Sequence, residues 1–518
     1  MFVHRPIVMT KRGLVVAGHH KAAEVGAAVL REGGNAMDAA VAAAATLTVA
    51  IPHMNSVGGD CFALWFDARR GYVAAINGSG GAPARATIEH YRGLGHAAIP
   101  ERGPLSISVP GVPHAWQACL QRYGSMPLSR LLEPAIALAE DGLPLDRHQR
   151  DTFNGELYAR LVKDCPSLGT LFGAPGGRKL GDIVKQPALA ASLKKIAEGG
   201  AAAFYDGPVG QALARDLQEQ GALLDADDLK RHSSLFQTPL TVPFAGAVAF
   251  ASPPNTQGVA LAVLLGLLER DGGADPYVAR FMRHKLTAFA IRDSHLGDPS
   301  VAKLPHDLLK PYSLDDIAEH GPDIIDPPHS APAGGDTTTV VAIDAEGNAV
   351  SWVQSLFEGF GSGVASESTG IVLQNRLSLA SLKPGGPNSL APGRRPFHTL
   401  CPCIVAKDGQ VKFVLSTPGD HGQPQTLAQV LHNAMVEGMD LQEAVEAPRI
   451  RHDEGKRVMH ESRIPVETLA PLRAAGYALE DVGPWSRLMG GVNAIQCLPN
   501  GLRLGAGDPR RACYAVAE

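Results

Sequence analysis

The chain lacks any excess of basic charge: 47 Lys and Arg stand against 52 Asp and Glu, for a net charge of −5. Polyanion surfaces need clustered cations, so neither nucleic acid nor an anionic membrane is implied as a partner. A long apolar run is also missing. The longest, Ala39 to Ile51, is rich in alanine and threonine, too short to span a bilayer, and reads as a buried helix. The opening residues, Met1 to Gly13, carry charges and lack the continuous apolar stretch of a signal peptide. The seven cysteines (Cys61, Cys119, Cys165, Cys401, Cys403, Cys497, Cys513) are odd in number and scattered, without zinc-site spacing or a disulfide framework. A reducing cytoplasm is therefore the expected location. Cys401 and Cys403, two apart on an expected strand, read as core residues on one face. No internal repeat and no His-Glu-x-x-His spacing is present, so neither a metal nor an organic cofactor is called for.

What the chain does have is length and turns. Its 518 residues, 45% hydrophobic and 19% charged with 57 Gly and 39 Pro, describe an ordinary globular protein of about two to four domains or one large layered unit. The first two-thirds read as mainly helical. Helices are expected over Ala22 to Arg31, after an N-cap at Asn35 supported by Asp38, and over Leu128 to Asp141 ending at Gly142. Others are expected from Pro187 to Glu198, Val209 to Gln220, Val259 to Leu268 and Pro276 to Asp293. Beyond residue 337 strands dominate, at Gly370 to Asn375, Thr399 to Val405, Val411 to Ser416 and Gly491 to Cys497, interrupted by helices over Gln425 to Glu437 and Leu441 to Ala447. Sheets packed face to face and covered by helices follow from that pattern.

The most informative stretch is Asp336-Thr337-Thr338-Thr339. Ile325 to Asp336 is rich in proline and glycine and should form no regular element, whereas Thr337 to Ile343 is almost wholly β-branched. With turn residues at Asp344 to Gly347 and an alternating Ala349 to Ser355, the segment reads as a hairpin. A break between Asp336 and Thr337 would give Thr337 a free α-amine, with an ordinary pKa of about 7.7–8.0, beside its own Oγ. Nucleophile and general base would then be one residue. Taken alone, three threonines at a strand start signify β-propensity and nothing more.

Other motifs accompany it: Gly33-Gly-Asn-Ala-Met-Asp-Ala-Ala-Val41, Ser56-Val-Gly-Gly59, Val109-Pro-Gly-Val112, Tyr123-Gly-Ser-Met-Pro127, Arg292-Asp-Ser-His-Leu-Gly-Asp-Pro299, Gly361-Ser-Gly363, Pro418-Gly419 and Asp508-Pro-Arg510. In order and approximate spacing, from about Gly13 to Arg511, the series resembles the gamma-glutamyltranspeptidase family. The resemblance implies an α+β fold, a four-layer αββα sandwich of the N-terminal-nucleophile hydrolase type. It implies a precursor that cuts itself into a large subunit, residues 1–336, and a small subunit, residues 337–518, which remain associated; a dimer of that pair is left open. It carries the nucleophile to Thr337, a supporting hydroxyl to Ser355, and the backbone oxyanion hole to Gly419 and Asp420, where Asp420 stands in place of a second glycine.

The departures from that pattern bear on substrate. Ser79 stands where gamma-glutamyl enzymes keep an arginine for the α-carboxylate, Leu379 and Arg376 replace acidic or amide positions that hold the α-amine, Phe357 replaces an asparagine, and His398-Thr399 replaces a serine pair. Arg376 in such a site repels an ammonium group, while Arg376, His398, Thr399 and His421 suit a carboxylate without one. A structural ion pair is the alternative role for Arg376, and a core position is the alternative for His398. The short Leu379 to Arg395 segment implies a relatively open, shallow site. Residues Pro396 to Thr399 and Ser416 to Gln425 resemble the oxamate amidohydrolase branch. The expected activity is hydrolysis of a small carboxylate-bearing amide, with gamma-glutamyl hydrolysis or transfer as the alternative and an unprocessed, acid-binding pseudoenzyme as a third.

Overall fold

The β-branched run beginning at Thr337 does form a hairpin. In the computed structural model, which describes residues 5–320 and 335–518, the strand Gly335–Ile343 turns through Asp344 and Gly347, the latter at φ +91°, into the strand Ala349–Glu358. The register pairs Thr337 with Ser355 and Ile343 with Ala349, with one irregularity between Asp336 and Thr337. Of the segment expected to be irregular, residues 325–334 lie outside the described residues, while Gly335 and Asp336 already belong to the strand.

The hairpin sits in a seven-stranded sheet ordered Tyr514–Ala517, Leu14–Ala17, Gly335–Ile343, Ala349–Glu358, Asp60–Asp67, Tyr72–Gly78, Leu235–Gln237. A second seven-stranded sheet runs Val8–Thr10, Arg503–Gly507, Asn493–Cys497, Gln410–Ser416, Cys403–Lys407, Ala247–Ala251, Leu240–Phe244. Side chains alternate along each strand, and in Gly335–Ile343 Val341 and Ile343 join Leu64, Phe66, Ile404, Val414 and Ile495 between the sheets. Val340 and Ala342 face the other way, into a core shared with the helices His20–Arg31, Ala36–Ala50 and Leu128–Asp141. Gly258–Arg270, Tyr277–His295 and Gln423–Met435 cover the second sheet. The result is the four-layer αββα arrangement.

Two of the sequence motifs meet at one carboxylate. Asp38 completes the capping box of the Ala36–Ala50 helix with Asn35, and also accepts from Ser125 Oγ at 2.6 Å and Met126 N at 3.2 Å. The Gly33 and Tyr123 motifs are thus the two halves of a single anchor.

Among the described residues helices do predominate in the first two-thirds, and Leu14–Ala17, Asp60–Asp67, Tyr72–Gly78, Leu240–Phe244 and Ala247–Ala251 are strands of the two sheets that sequence reading did not locate. Several lie inside a sheet covered on both faces, where a strand shows no polar alternation to betray it. The strand expected from Thr399 begins at Cys403, and that expected over Gly370 to Asn375 shrinks to Ile371–Val372. Cys401 and Cys403 are buried in the second core, as expected. Among the described residues no helix is long and apolar enough to cross a membrane.

The topology leaves Thr337 at an edge. Along the Gly335–Ile343 strand, Leu14–Ala17 pairs with Val340 to Ile343 alone, so Thr337 to Thr339 run past its end, where Gly18 N reaches Thr339 O at 3.1 Å. A cavity opens at that edge, lined by Thr337, Thr338, Pro418, His148, Arg487 and Arg511 among others.

Candidate active site

Thr337 is buried, 1% exposed, at the edge just described. Its Oγ1 donates to Ser355 Oγ at 2.9 Å, Ser355 Oγ donates to the Asp336 carbonyl at 3.0 Å, and Phe357 N donates to Ser355 Oγ at 2.7 Å. Ser355 therefore accepts twice and donates once, which fixes the direction of its proton toward the bond between Asp336 and Thr337. The cross-strand pairing of Thr337 with Ser355 is what brings the two hydroxyls together.

Gly419 and Asp420 follow the Gln410–Ser416 strand and lead through a 3-10 turn into the Gln423–Met435 helix. Neither residue's N–H has an acceptor among the described residues. Both backbones are left-handed, Gly419 at φ +128° and Asp420 at φ +54°. Asp tolerates that region better than most residues, which accounts for its standing where the family pattern has glycine. The loop is held from behind by Gln257, whose Nε2 donates to Asp420 O at 2.7 Å and Thr399 O at 2.6 Å.

The remaining candidates surround a buried charge cluster. Arg376 is fully buried, with Nη1 donating to Thr399 Oγ1 at 3.0 Å, its guanidinium 4.4 Å from the Phe357 ring centroid, and Nε 3.7 Å from Asp60 Oδ2. The same Asp60 oxygen lies 3.0 Å from His398 Nε2. Burial and the neighbouring Arg376 hold the His398 imidazole down at about 4, so it is neutral at neutral pH. His421 takes a hydrogen bond at Nδ1 from Arg292 Nη1, 3.0 Å, and stacks on Phe397. Burial lowers the Arg376 guanidinium to about 10 against the pull of Asp60 and Asp420, which still leaves it charged at neutral pH. Arg376 Nη2, His398 Nδ1, His421 Nε2 and Asp420 Oδ1 are buried without hydrogen-bond partners in the protein. Ser79, at the arginine position of gamma-glutamyl enzymes, donates instead to Asn77 Oδ1 at 2.7 Å.

An open, shallow site is not what the structure holds. Phe357, Arg376, His398, Thr399 and His421 are all buried, and the 379–389 segment lines a separate, partly open cavity together with Arg292, Phe397 and His421. Sequence reading missed Asp60, which neutralises Arg376, although it directly follows the Ser56 motif. It also missed Gln257 and Arg292, the latter the first residue of a motif already noted. Glu358 was missed as well; it pairs with Arg102 at 2.7 Å next to Phe357. Among the described residues no cluster of His, Cys, Asp and Glu is arranged to hold a metal ion.

Comparison with known proteins agrees with this geometry. A family model described as gamma-glutamyltranspeptidase matches residues 22–517. The chain is 37% identical over 531 residues to the glutathione hydrolase-like YwrD proenzyme of Bacillus subtilis (strain 168), covering 99% of this chain and 100% of that one. It is 36% identical over 525 residues to the oxamate amidohydrolase proenzyme of Klebsiella pneumoniae subsp. pneumoniae, covering 97% and 98%. The crystal structure of cephalosporin acylase from Bacillus halodurans superimposes with a TM-score of 0.92 at 29% identity, covering 100% of this chain and 98% of that one.

Two carboxyls beside Arg376 titrate near neutrality. Burial pushes Asp420 up to about 6 against the attraction of Arg451, and burial pushes Glu358 up to about 7 against the attraction of Arg102. For Asp420 the folded value lies above the ordinary 3.8, so the unfolded chain releases its proton first and stability falls as pH rises between about 4 and 6. That difference corresponds to about 3 kcal/mol once both states are ionised. Asp420→Asn is expected to unfold at higher denaturant than the parent at pH 7.5, by about 1–3 kcal/mol, with the gain vanishing at pH 4. Denaturant titrations at the two pH values check it.

Proposed function

The chain belongs to the gamma-glutamyltranspeptidase family and is an N-terminal-nucleophile amidohydrolase, and we propose that it cuts itself between Asp336 and Thr337 and then hydrolyses the amide of a small, oxamate-like carboxylate through an acyl-enzyme on Thr337. The observation that carries the first half is the hydroxyl relay from Thr337 Oγ1 through Ser355 Oγ to the Asp336 carbonyl. As Thr337 Oγ forms a bond to the Asp336 carbonyl carbon, its proton passes to Ser355 and the Ser355 proton passes to the carbonyl oxygen. The peptide C–N bond then breaks, the nitrogen takes a proton, and Asp336 is left as an ester on Thr337. Water hydrolyses that ester, releasing residues 1–336 as the large subunit with a new carboxylate at Asp336 and restoring the Thr337 hydroxyl beside the α-amine that the C–N cleavage had already freed.

In turnover the free α-amine takes the Thr337 hydroxyl proton and returns it to the leaving amine. The Gly419 and Asp420 amides hold the oxyanion, a role worth about 10²–10³-fold in rate per donor. The unpartnered atoms of Arg376, His398 and His421, with Thr399, supply the anion and hydrogen-bond sites for a compact carboxylate, and no arginine stands at Ser79 to receive a gamma-glutamyl α-carboxylate.

Asp420 favours a second reading. Its unpartnered Oδ1 is an acceptor for an ammonium group, and Asp60 already offsets Arg376, so a gamma-glutamyl head has a partner after all. The relatives do not choose, being named at nearly equal identity for glutathione hydrolase-like and oxamate-hydrolysing proteins. Large and small subunits of one precursor remaining together, in the cytoplasm, complete the proposal.

Intact mass and amino-terminal sequencing of purified protein are expected to give two fragments, the smaller beginning at residue 337, with Thr337→Ala staying whole and Ser355→Ala cutting about 10²–10³-fold more slowly. A wild-type chain that stays whole sinks the catalytic reading. Substrate class is then decided by Asp420→Asn at pH 7.5. With oxamate as the true class, KM falls several-fold because a negative charge has left the site. A gamma-glutamyl enzyme would instead lose about 10-fold or more in kcat/KM for glutathione, since an ionic hydrogen bond is worth about 1.5–3 kcal/mol.

A further inference from the structure

The residue on the acyl side of the proposed cut is gripped by its side chain as well as by its carbonyl. Asp336 Oδ1 lies 3.1 Å from Arg511 Nη1, and Arg511 Nη2 donates to Arg487 O at 3.2 Å. The arginine is itself tightly laid: a Cβ built on Gly491 would meet its Cδ at 2.6 Å. Gly491 N in turn donates to Thr417 Oγ1, at the base of the loop that carries Gly419. On the other side, a Cβ on Gly359 would come within 3.2 Å of Asp336 Oδ2, so the carboxylate fits a space that glycine leaves. The strand register slips between Asp336 and Thr337, at the bond to be cut. A short side chain fixed at its tip restricts rotation of its own carbonyl group, which here is the one that Ser355 holds at 3.0 Å.

The other charged and titratable groups facing Asp336 are Arg487, His53 and His148. His53 Nε2 and His148 Nε2 are 3.3 Å apart, and burial holds the two rings down at about 4 and about 3, so both are neutral at neutral pH. Burial alone would raise the Asp336 carboxyl, yet it is held below its ordinary value, with Arg511 the largest opposing influence. At neutral pH the arginines carry that attraction.

We propose that Arg511 is a positioning residue for self-cleavage, which holds the Asp336 carboxylate so that the scissile carbonyl stays aligned with Ser355 and Thr337 Oγ. The inference rests on the proposed cut and adds to it a requirement on the residue that precedes the nucleophile: a short side chain carrying a carboxylate. Asparagine keeps the shape and loses the charge-assisted bond. Glutamate keeps the charge and lengthens the arm by one methylene.

The test is a double-mutant cycle on the full-length chain made by pulsed cell-free synthesis, following conversion of the intact band into two fragments. Asp336→Asn and Arg511→Gln are each expected to slow conversion about 10–100-fold, the range that a small misalignment of reacting groups costs. Because one contact is removed in both cases, the double variant should be no slower than the slower single. Asp336→Glu should fall between Asp336→Asn and wild type. Thermal unfolding of the same substitutions on a Thr337→Ala background, where no cutting occurs, separates alignment from folding. Wild-type rates in either single, or slowdowns that multiply in the double, overturn the proposal. So does a slowdown confined to Arg511→Gln and matched by a lower unfolding midpoint, which would assign Arg511 a structural role. A wild-type chain that never cuts between residues 336 and 337 removes the cleavage reading itself and is distinguishable from all of these.

Discussion

The candidate site depends on the pairing of Thr337 with Ser355 across the hairpin. Side chains of directly opposed strand residues point to the same face within about 4.5–5.5 Å, so the pairing itself brings two hydroxyls into hydrogen-bond contact. A slip of one residue would send them to opposite faces. The register is fixed elsewhere, by Val341 and Ile343 locked between the sheets and by Val340 and Ala342 in the helix-side core. Packing of four apolar side chains thus determines where a hydroxyl proton points. The short Leu14–Ala17 strand then leaves that end of the nucleophile strand uncovered, and the cavity beside Thr337 exists because a neighbour stops early.

Electrostatics supply the second constraint. Arg376 is charged and buried, with Asp60 offsetting it, and Asp420, Glu358 and Arg102 extend the cluster towards the nucleophile hairpin. Buried charge without full hydrogen bonding is costly, and several atoms of this cluster have no partner. Asp420 combines such an atom with a left-handed backbone, and Phe357 holds φ +80°, a conformation that costs a bulky side chain about 1–3 kcal/mol. The surrounding four-layer packing tolerates that cost.

Legibility in the sequence followed the physics of each element. The Asn35 cap, the Gly142 terminus and the Pro187 start were readable because local chemistry sets them. The hairpin was readable because β-branched residues, a turn and alternation coincide within 20 residues or so. Asp60–Asp67 was not, since its interior residues are apolar on both faces and periodicity cannot then distinguish strand from helix. Thr337, Ser355 and the Gly419–Asp420 loop were singled out through the ordered motifs. Asp60, Gln257 and Arg102 could not be, because they act on residues far away in the chain and only folding brings them there. The same holds for the enclosed character of the site: a short 379–395 segment looked like an absent lid, yet Arg92 Nη2 and Asn388 Nδ2 bond to the carbonyls of Leu382 and Leu379 and draw it over Phe397 and His421.

The central claim is that Thr337 carries the acyl group. Rapid acid quenching of the enzyme during turnover of an activated ester of a small carboxylate, followed by peptide mass spectrometry, tests it most directly. The account predicts a mass increase equal to the acyl group on the peptide that begins at residue 337, located to that residue and lost on further incubation. An acyl group on any other residue, or turnover with an unmodified Thr337 at every quench time, would contradict it.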